Sequence, residues 1–139
     1  MRVLFDTNVV LDQLLARQPF VDAAERLMSL VDAGGLEGLV CSTTVTTIHY
    51  LATKTVGDAA ARAYIRELLA IFDVAGVGRA VLRDALESGF SDYEDAVLHE
   101  AARAAGAAAI VTRDGAGFSR SVLPIFTPAE LLAAFEAGR

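Results

Sequence analysis

The sequence is poor in cysteine and has no long uncharged hydrophobic run, and each shortage excludes a class of protein. Cys41 is its single cysteine, so neither an internal disulfide nor a cysteine-ligated zinc site can form, and a reducing compartment is expected. We expect Cys41 itself to be a small buried residue in a strand. Asp6 and Asp12 interrupt the first apolar stretch well before it reaches the length of a membrane span. These features predict a soluble, cytoplasmic protein with no signal peptide or membrane segment.

Basic residues are also few, since the formal net charge is −6 and Lys54 is the only lysine. This charge argues against nucleic-acid binding through a broad basic surface, which needs many cations to displace counterions. It does not exclude an enzyme that acts on nucleic acid, because clustered metal-binding acids would account for part of the negative charge. Phosphate contacts would then fall mainly to arginines. Arg113 and Arg120 are the candidates, although an ordinary surface position explains each equally well.

The sequence does contain enough apolar material for one core, because 54% of its 139 residues are hydrophobic. We expect a single domain over residues 1–139. Short apolar stretches alternate with stretches of helical periodicity, which predicts an α/β fold with a central, mostly parallel sheet and helices on both faces. The predicted strands cover residues 2–6, 39–41, 73–77, 107–112 and 125–126, and the predicted helices cover residues 9–16, 20–33, 45–55, 58–72, 79–87, 91–106 and a last helix from residue 127 onward.

Two of the predicted helices begin with a capping-box pattern, in which a hydroxyl residue precedes a glutamate by three positions. Thr127 and Glu130 form one such pair, with Pro128 at the first helical position. Ser91 and Glu94 form the other, so Glu94 is expected mainly as a capping residue. Both patterns predict where a helix starts.

Two aspartates directly follow apolar strands of the predicted sheet. Asp6 ends the stretch Val3–Phe5, and Asp114 lies just beyond the stretch Ala107–Thr112. In an open parallel sheet, ligands bind outside the carboxyl ends of the strands, so both side chains are expected at a site-forming edge. A local turn bond is the simpler alternative for an aspartate after a strand.

Two further aspartates, Asp92 and Asp95, are three positions apart in the first turn of one predicted helix and therefore lie on neighbouring parts of one helical face. If that helix starts at the same edge as Asp6 and Asp114, the four carboxylates form an acidic pocket that is costly without a cation. Hard oxygen ligands suit Mg²⁺ or Mn²⁺. The chemistry predicted is hydrolysis of a phosphodiester with water activated by the metal. Stabilisation of the helix dipole is the alternative role for Asp92.

Small polar residues beside these acids are candidates for orienting them. Thr7, Asn8 and Thr112 can donate hydrogen bonds to Asp6, to Asp114 or to a bound water, although each can equally cap its own turn. Asp12 is expected to be a solvated helix residue.

Three motifs together resemble the PIN domain, in the small form found in VapC-like toxins. They are the stretches Phe5–Asn8, Asp92–Ala96 and Ile110–Asp114, the last one followed by Phe118. The resemblance implies an Mg²⁺- or Mn²⁺-dependent ribonuclease with a parallel sheet, often dimeric and often neutralised by a small antitoxin. By position it assigns the acidic site to Asp6, Asp95 and Asp114, with Asp92 as an additional acid of one subgroup.

The sequence departs from the family pattern at two positions. His49 stands in the region where the family commonly has a glutamate, and it is expected either to ligate Mn²⁺, to bond a water or simply to pack. Gly117 stands where the family often has an acid, just before Phe118. His99 lies four residues after Asp95 on the same helical face, and we expect a plain helical role for it.

Two other functions remain open on sequence grounds. One is a PIN-fold binding or regulatory module with a weak metal site, which the loss of a carboxylate at His49 would favour. The other is a haloacid-dehalogenase-like phosphatase, because Asp6–Val10 approaches that family's motif. Asn8 removes the second acid that this phosphatase needs, and Lys54 is poorly placed to bind its phosphate. Cleavage of RNA that depends on Asp95 would separate the ribonuclease from both.

Overall fold

The computed structural model describes residues 1–138, so Arg139, the last residue of the predicted domain, lies outside the described residues. Within them, five strands and seven α-helices alternate largely as predicted. The strands are β1 (Arg2–Phe5), β2 (Glu37–Cys41), β3 (Asp73–Ala75), β4 (Ala109–Val111) and β5 (Ile125–Phe126), and the helices are α1 (Thr7–Leu14), α2 (Val21–Asp32), α3 (Ser42–Val56), α4 (Asp58–Ile71), α5 (Arg79–Leu86), α6 (Tyr93–Ala104) and α7 (Pro128–Ala137).

The five strands form one sheet in the order β3-β2-β1-β4-β5, and every pairing is parallel. This confirms the predicted α/β fold with its parallel sheet. The chain runs from β1 to β2 and β3 on one side and places β4 and β5 on the other side. Strand order therefore reverses between β1 and β4, which is where open α/β sheets form ligand-binding crevices.

Side chains alternate between two hydrophobic cores, one on each face of the sheet. Val3 and Phe5 of β1 pack into the core under α1, α2, α4 and α7, whereas Leu4 faces the core under α5 and α6. Val111 and Ile110 of β4 are divided in the same way. Both faces are thus covered, which explains why these strands read as continuous apolar runs.

Three helix starts differ from the prediction by two residues or more, since α1 begins at Thr7 instead of residue 9, α6 begins at Tyr93 instead of residue 91, and α3 differs most. Helix α3 begins at Ser42, directly after β2, three residues before its predicted start. Its threonines are poor helix formers, but the burial of Thr44, Ile48 and Ala52 stabilises the helix through packing. The capping box predicted for Ser91 and Glu94 is wrong, because α6 is capped one position later, as described below.

Three strands differ in length from the prediction by two residues or more, because β2 begins two residues earlier and both β3 and β4 are shorter, whereas two other local predictions agree with the structure. The backbone N–H of Thr127 donates to Glu130 Oε1 at 2.8 Å, and the Glu130 N–H donates to Thr127 Oγ1 at 3.1 Å, so the capping box of α7 is confirmed. Cys41 is buried in β2, also as predicted. None of the helices in residues 1–138 combines the length and the apolar character that crossing a membrane requires.

Candidate active site

Asp6 lies between β1 and α1 and is held by hydrogen bonds on both carboxylate oxygens. Its backbone N–H extends the β1–β4 ladder by donating to the carbonyl of Val111 at 3.0 Å. Its side chain caps α1, because Oδ1 accepts from the Thr7 N–H at 2.7 Å. Oδ2 accepts from Thr112 Oγ1 at 2.7 Å and from Asn8 Nδ2 at 3.3 Å. Only 8% of Asp6 is exposed, so its carboxylate is both buried and fixed in orientation.

Thr112 and Asn8 link Asp6 to the turn that carries Asp114. Phe5 pairs with Val111 in the sheet, which brings the next residue of each strand, Asp6 and Thr112, side by side. Thr112 Oγ1 also accepts from the Asp114 N–H at 3.0 Å, and Asn8 Oδ1 accepts from the Arg113 N–H at 3.4 Å. The structure therefore brings both of these predicted supporting residues to Asp6.

Asp114 and Asp95 approach each other beside Gly117. Asp114 caps the short 3₁₀ helix Gly115–Phe118, with Oδ1 accepting from the Gly117 N–H at 3.4 Å. A Cβ atom added at Gly117 would lie 2.7 Å from Asp95 Oδ2 and 3.1 Å from Asp114 Oδ2. Two carboxylate oxygens from different elements thus point at one small space.

Asp92 is the N-cap of α6, where its Oδ1 accepts from the Asp95 N–H at 2.9 Å. The helix is capped by Asp92, which accepts from the backbone three residues later, instead of by the predicted Ser91. A carboxylate also caps a helix well, and the two possible cap positions differ by one residue. One oxygen of Asp92 therefore caps the helix, and its charge lies at the end of the helix where a carboxylate stabilises the dipole. The Asp92 side chain is exposed and faces Asp95 closely enough for their charges to interact.

The charges of neighbouring acids contribute to raised pKa values for Asp95 and Asp6. Burial, together with the smaller effects of the charges of Asp6, Asp92, Asp114 and Glu94, raises the pKa of Asp95 to about 6. A shift of this kind is typical of functional sites, although structural clusters also produce it.

Burial also raises the pKa of Asp6, against the opposing effect of its hydrogen bonds from Thr112 and Thr7. The charges of Asp114 and Glu94 raise it further. Glu94 thus acts on both Asp6 and Asp95, a closeness that its expected capping role did not anticipate. Its position one residue before Asp95 in the first helical turn was the available signal.

A second group that the sequence reasoning missed is Thr44, near the start of α3. Its Oγ1 lies 2.8 Å from Thr7 Oγ1, and only 1% of the residue is exposed. The early start of α3 places this hydroxyl at the carboxyl edge beside the Asp6 turn. A hydroxyl residue shortly after an apolar strand was the signal for it.

The structure places His49 with another partner. Its Nε2 lies 3.1 Å from Oδ1 of Asp58, the first residue of α4, and Asp58 also accepts from Arg62 at 2.8 Å. His49 lies two turns into α3, and its contact is with the adjoining helix. Of the three roles predicted for His49, packing against a polar neighbour is the one that the structure displays.

Arg113 is directed away from the acids. Its guanidinium donates to both oxygens of Asp12, and its centre lies 3.9 Å from the middle of the Phe20 ring. The prediction that Asp12 is solvated is wrong, because its exposure is 1%. The error arose because the partner of Asp12 lies about a hundred residues away in the sequence. Arg120 remains exposed and lies along Gly89.

His99 has a structural role, as expected. It is 2% exposed, and its ring lies 4.8 Å from the ring of Phe90. Nε2 accepts from the Val122 N–H at 3.2 Å, while Nδ1 lies 2.6 Å from Glu100 Oε2. An accepting Nε2 requires the proton on Nδ1, so a neutral ring satisfies both contacts.

The donor set at this edge fits a hard divalent cation. Asp6, Asp95 and Asp114 offer only carboxylate oxygens, which Mg²⁺ and Mn²⁺ prefer, and two of those oxygens already converge beside Gly117. Across residues 1–138, no three His, Cys, Asp or Glu side chains are arranged closely enough to form a complete metal cage. The acids are therefore neighbours whose charges interact, and they do not form a complete set of metal ligands in the arrangement described.

Comparisons with known proteins agree with this fold. A family model described as PIN domain matches residues 2–116. No curated protein matches the sequence.

Several solved structures share the architecture. VapBC2 from Rickettsia felis, bound to a DNA fragment from its promoter, has a TM-score of 0.68 and 17% identity, covering 91% of this chain and 98% of that chain. PAE2754 from Pyrobaculum aerophilum has a TM-score of 0.63 and 21% identity, covering 99% and 90%. The sarcin-ricin loop cleaving toxin VapC20 from Mycobacterium tuberculosis has a TM-score of 0.61 and 16% identity, covering 78% and 86%. At these identities the likeness shows the fold.

Proposed function

Because this chain belongs to the PIN-domain family, we propose that it is a ribonuclease that hydrolyses RNA phosphodiester bonds with the help of Mg²⁺ or Mn²⁺. The observation that supports the proposal is that Asp6 and Asp114 follow the adjacent strands β1 and β4, between which strand order reverses, and that the charges of both act on Asp95. A fold that places like charges together and raises the pKa of Asp6 and Asp95 keeps an arrangement that a bound cation would stabilise.

Each acid has a proposed role. Asp6, Asp95 and Asp114 hold the metal, and Asp92 supports them through its charge while it caps α6. When bound, the metal supplies activation of water and stabilisation of charge on the attacked phosphate. Asn8 and Thr112 keep Asp6 in a fixed orientation, because a ligand whose outer hydrogen bonds are satisfied stays in place when the ion binds.

The structural neighbours support a more specific biological role. One is a VapBC complex on promoter DNA and another is a toxin that cleaves RNA. We propose that this chain is likewise the toxin of a toxin–antitoxin pair, acting in the cytoplasm as one domain over residues 1–139. Its proposed partners are an RNA substrate, a small antitoxin protein and a second copy of itself.

A PIN-fold binding module is the second candidate, and one observation favours it. His49 pairs with Asp58 instead of adding a ligand to the acidic group, so this group has fewer ligands than the family pattern implies. The phosphatase alternative finds no such support. Asn8 donates to Asp6 and carries no acid proton, while the Lys54 ammonium lies 4.2 Å above the Tyr50 ring.

Cleavage of a mixed single-stranded RNA tests the proposed activity. We expect the purified protein to cut RNA with Mn²⁺ or Mg²⁺ and to stop when EDTA is added. Asp95→Asn should abolish cutting, whereas Asp84→Asn, which changes an exposed acid of α5, should leave it unchanged. A folded protein that cuts none of several RNAs with either metal would contradict the ribonuclease and favour the binding module.

A further inference from the structure

Asp12 and Arg113 form a partly buried ion pair next to the acidic site. Asp12 lies in α1 and Arg113 lies in the turn after β4, so the pair joins two elements that are distant in sequence. Two nitrogens of the guanidinium, Nε and Nη2, donate to the two oxygens of Asp12. Such a forked contact fixes the orientation of both groups more firmly than a single hydrogen bond does.

Arg113 is held at two further points. Its guanidinium lies over the Phe20 ring at 3.9 Å, and its backbone N–H donates to Asn8 Oδ1 at 3.4 Å. All of these contacts act on the residue that stands between Thr112, which bonds Asp6, and Asp114 itself. These contacts therefore fix Arg113 in the middle of the turn that orients Asp114.

We propose that Arg113 is a positioning residue, anchored by Asp12, that holds the turn carrying Asp114 in the geometry needed for metal binding. This inference rests on the proposed metal-dependent function. It differs from both alternatives that the sequence left open for Arg113, which were a contact with substrate phosphate and an ordinary surface position. A guanidinium already engaged by Asp12 and Phe20 has its fork turned toward the protein, so its effect reaches the site through the backbone.

Arg17 provides a matched control. Its Nε lies 3.1 Å from the same carboxylate, at Asp12 Oδ1, but without hydrogen-bond geometry, and Arg17 belongs to the loop after α1. Replacing Arg17 therefore disturbs the same buried charge from the side that does not carry Asp114. A purely structural role for the ion pair predicts that any loss of Mn²⁺ affinity in each variant follows its loss of unfolding free energy.

Calorimetric titration with Mn²⁺ distinguishes the positioning role of Arg113 from a purely structural role. We expect Arg113→Ala to weaken Mn²⁺ binding about 10- to 100-fold, as losses of outer groups at metal sites do, and Arg17→Ala to change it less than about threefold. Arg113→Lys keeps the charge but loses the fork, so it should fold well and bind Mn²⁺ with intermediate affinity. The free energy of unfolding of each variant is measured alongside, without metal.

The outcomes are distinguishable. If Arg113→Ala, or Arg113→Lys where the alanine variant does not fold, binds Mn²⁺ like the unchanged protein, the positioning role is wrong and the proposed function stands. Equal weakening by Arg17→Ala would likewise contradict it and leave only a structural ion pair. If the unchanged protein binds no Mn²⁺, the proposed function fails and this inference fails with it.

Discussion

Asp6 and Asp12 are six residues apart and both are buried, yet their surroundings are opposite. Asp12 is 1% exposed and faces the guanidinium groups of Arg113 and Arg17. Asp6 is 8% exposed and receives neutral donors from Thr112 and neighbouring groups, with other carboxylates close by. The charge of Asp12 is balanced by these arginines, whereas no cationic side chain of residues 1–138 pairs with Asp6. The surroundings of Asp6 therefore suit a bound metal cation.

Neutralising each aspartate should have opposite effects on stability, and this is the largest difference we expect. Asp12→Asn removes the partner of two arginines and should lower the free energy of unfolding by about 2–4 kcal/mol, less than for a fully buried pair because both arginines are partly exposed. Asp6→Asn relieves repulsion and should leave the metal-free protein as stable or slightly more stable. Urea unfolding in EDTA measures both. Similar losses of unfolding free energy in the two variants would contradict the proposed difference between the surroundings of Asp6 and Asp12.

The two environments also show how far the sequence could predict the site. Asp6 and Asp114 were predictable because each follows an apolar strand, and a parallel sheet brings such positions to one edge. The pairing of Asp12 with Arg113 was not, because Arg113 reaches it only after the strands have paired. The frame of the α6 cap was ambiguous, since Ser91 and Asp92 both have an acid three residues later. Tertiary contacts decide these details.

Filling the space beside Gly117 should lower the affinity of the acidic site for Mn²⁺ without changing the ion pair between Asp12 and Arg113. Gly117 does not have the left-handed backbone that requires glycine, so Gly117→Ala acts through its methyl group, which would meet Asp95 and Asp114. We expect Mn²⁺ affinity to fall about 10- to 100-fold. Gly115→Ala is the control, because nothing lies within 4 Å of its added Cβ. Equal Mn²⁺ affinities in the two variants would contradict convergence of the acids at this point.

The raised pKa of Asp95 predicts a smaller dependence of stability on pH. Because its pKa is about 6 in the folded protein and near 3.8 in the unfolded chain, the folded state binds more protons between these values. Stability of the metal-free protein should therefore fall as pH rises from about 4 to 6 and then level off. After allowance for solvent screening, the loss should be about 1–2 kcal/mol.

Urea unfolding of the protein and of Asp95→Asn across this pH range isolates the contribution of Asp95. The difference between their free energies of unfolding should change between pH 4 and 6 and remain constant above. Metal binding should show the opposite trend, since Mn²⁺ competes with protons and binds better as the carboxylate ionises. A difference that is constant from pH 4 to 7 would show that neither burial nor the surrounding acids raise the pKa of Asp95.

The most direct test of the account is thermal unfolding with and without Mn²⁺ for the unchanged protein, Asp6→Asn and Asp84→Asn. A ligand that binds the folded state at 100 times its dissociation constant stabilises it by about 2.7 kcal/mol. The account predicts that Mn²⁺ raises the unfolding temperature of the unchanged protein and of Asp84→Asn, and has little effect on Asp6→Asn. Equal shifts in all three proteins, or no shift in the unchanged protein, would contradict a metal site at Asp6.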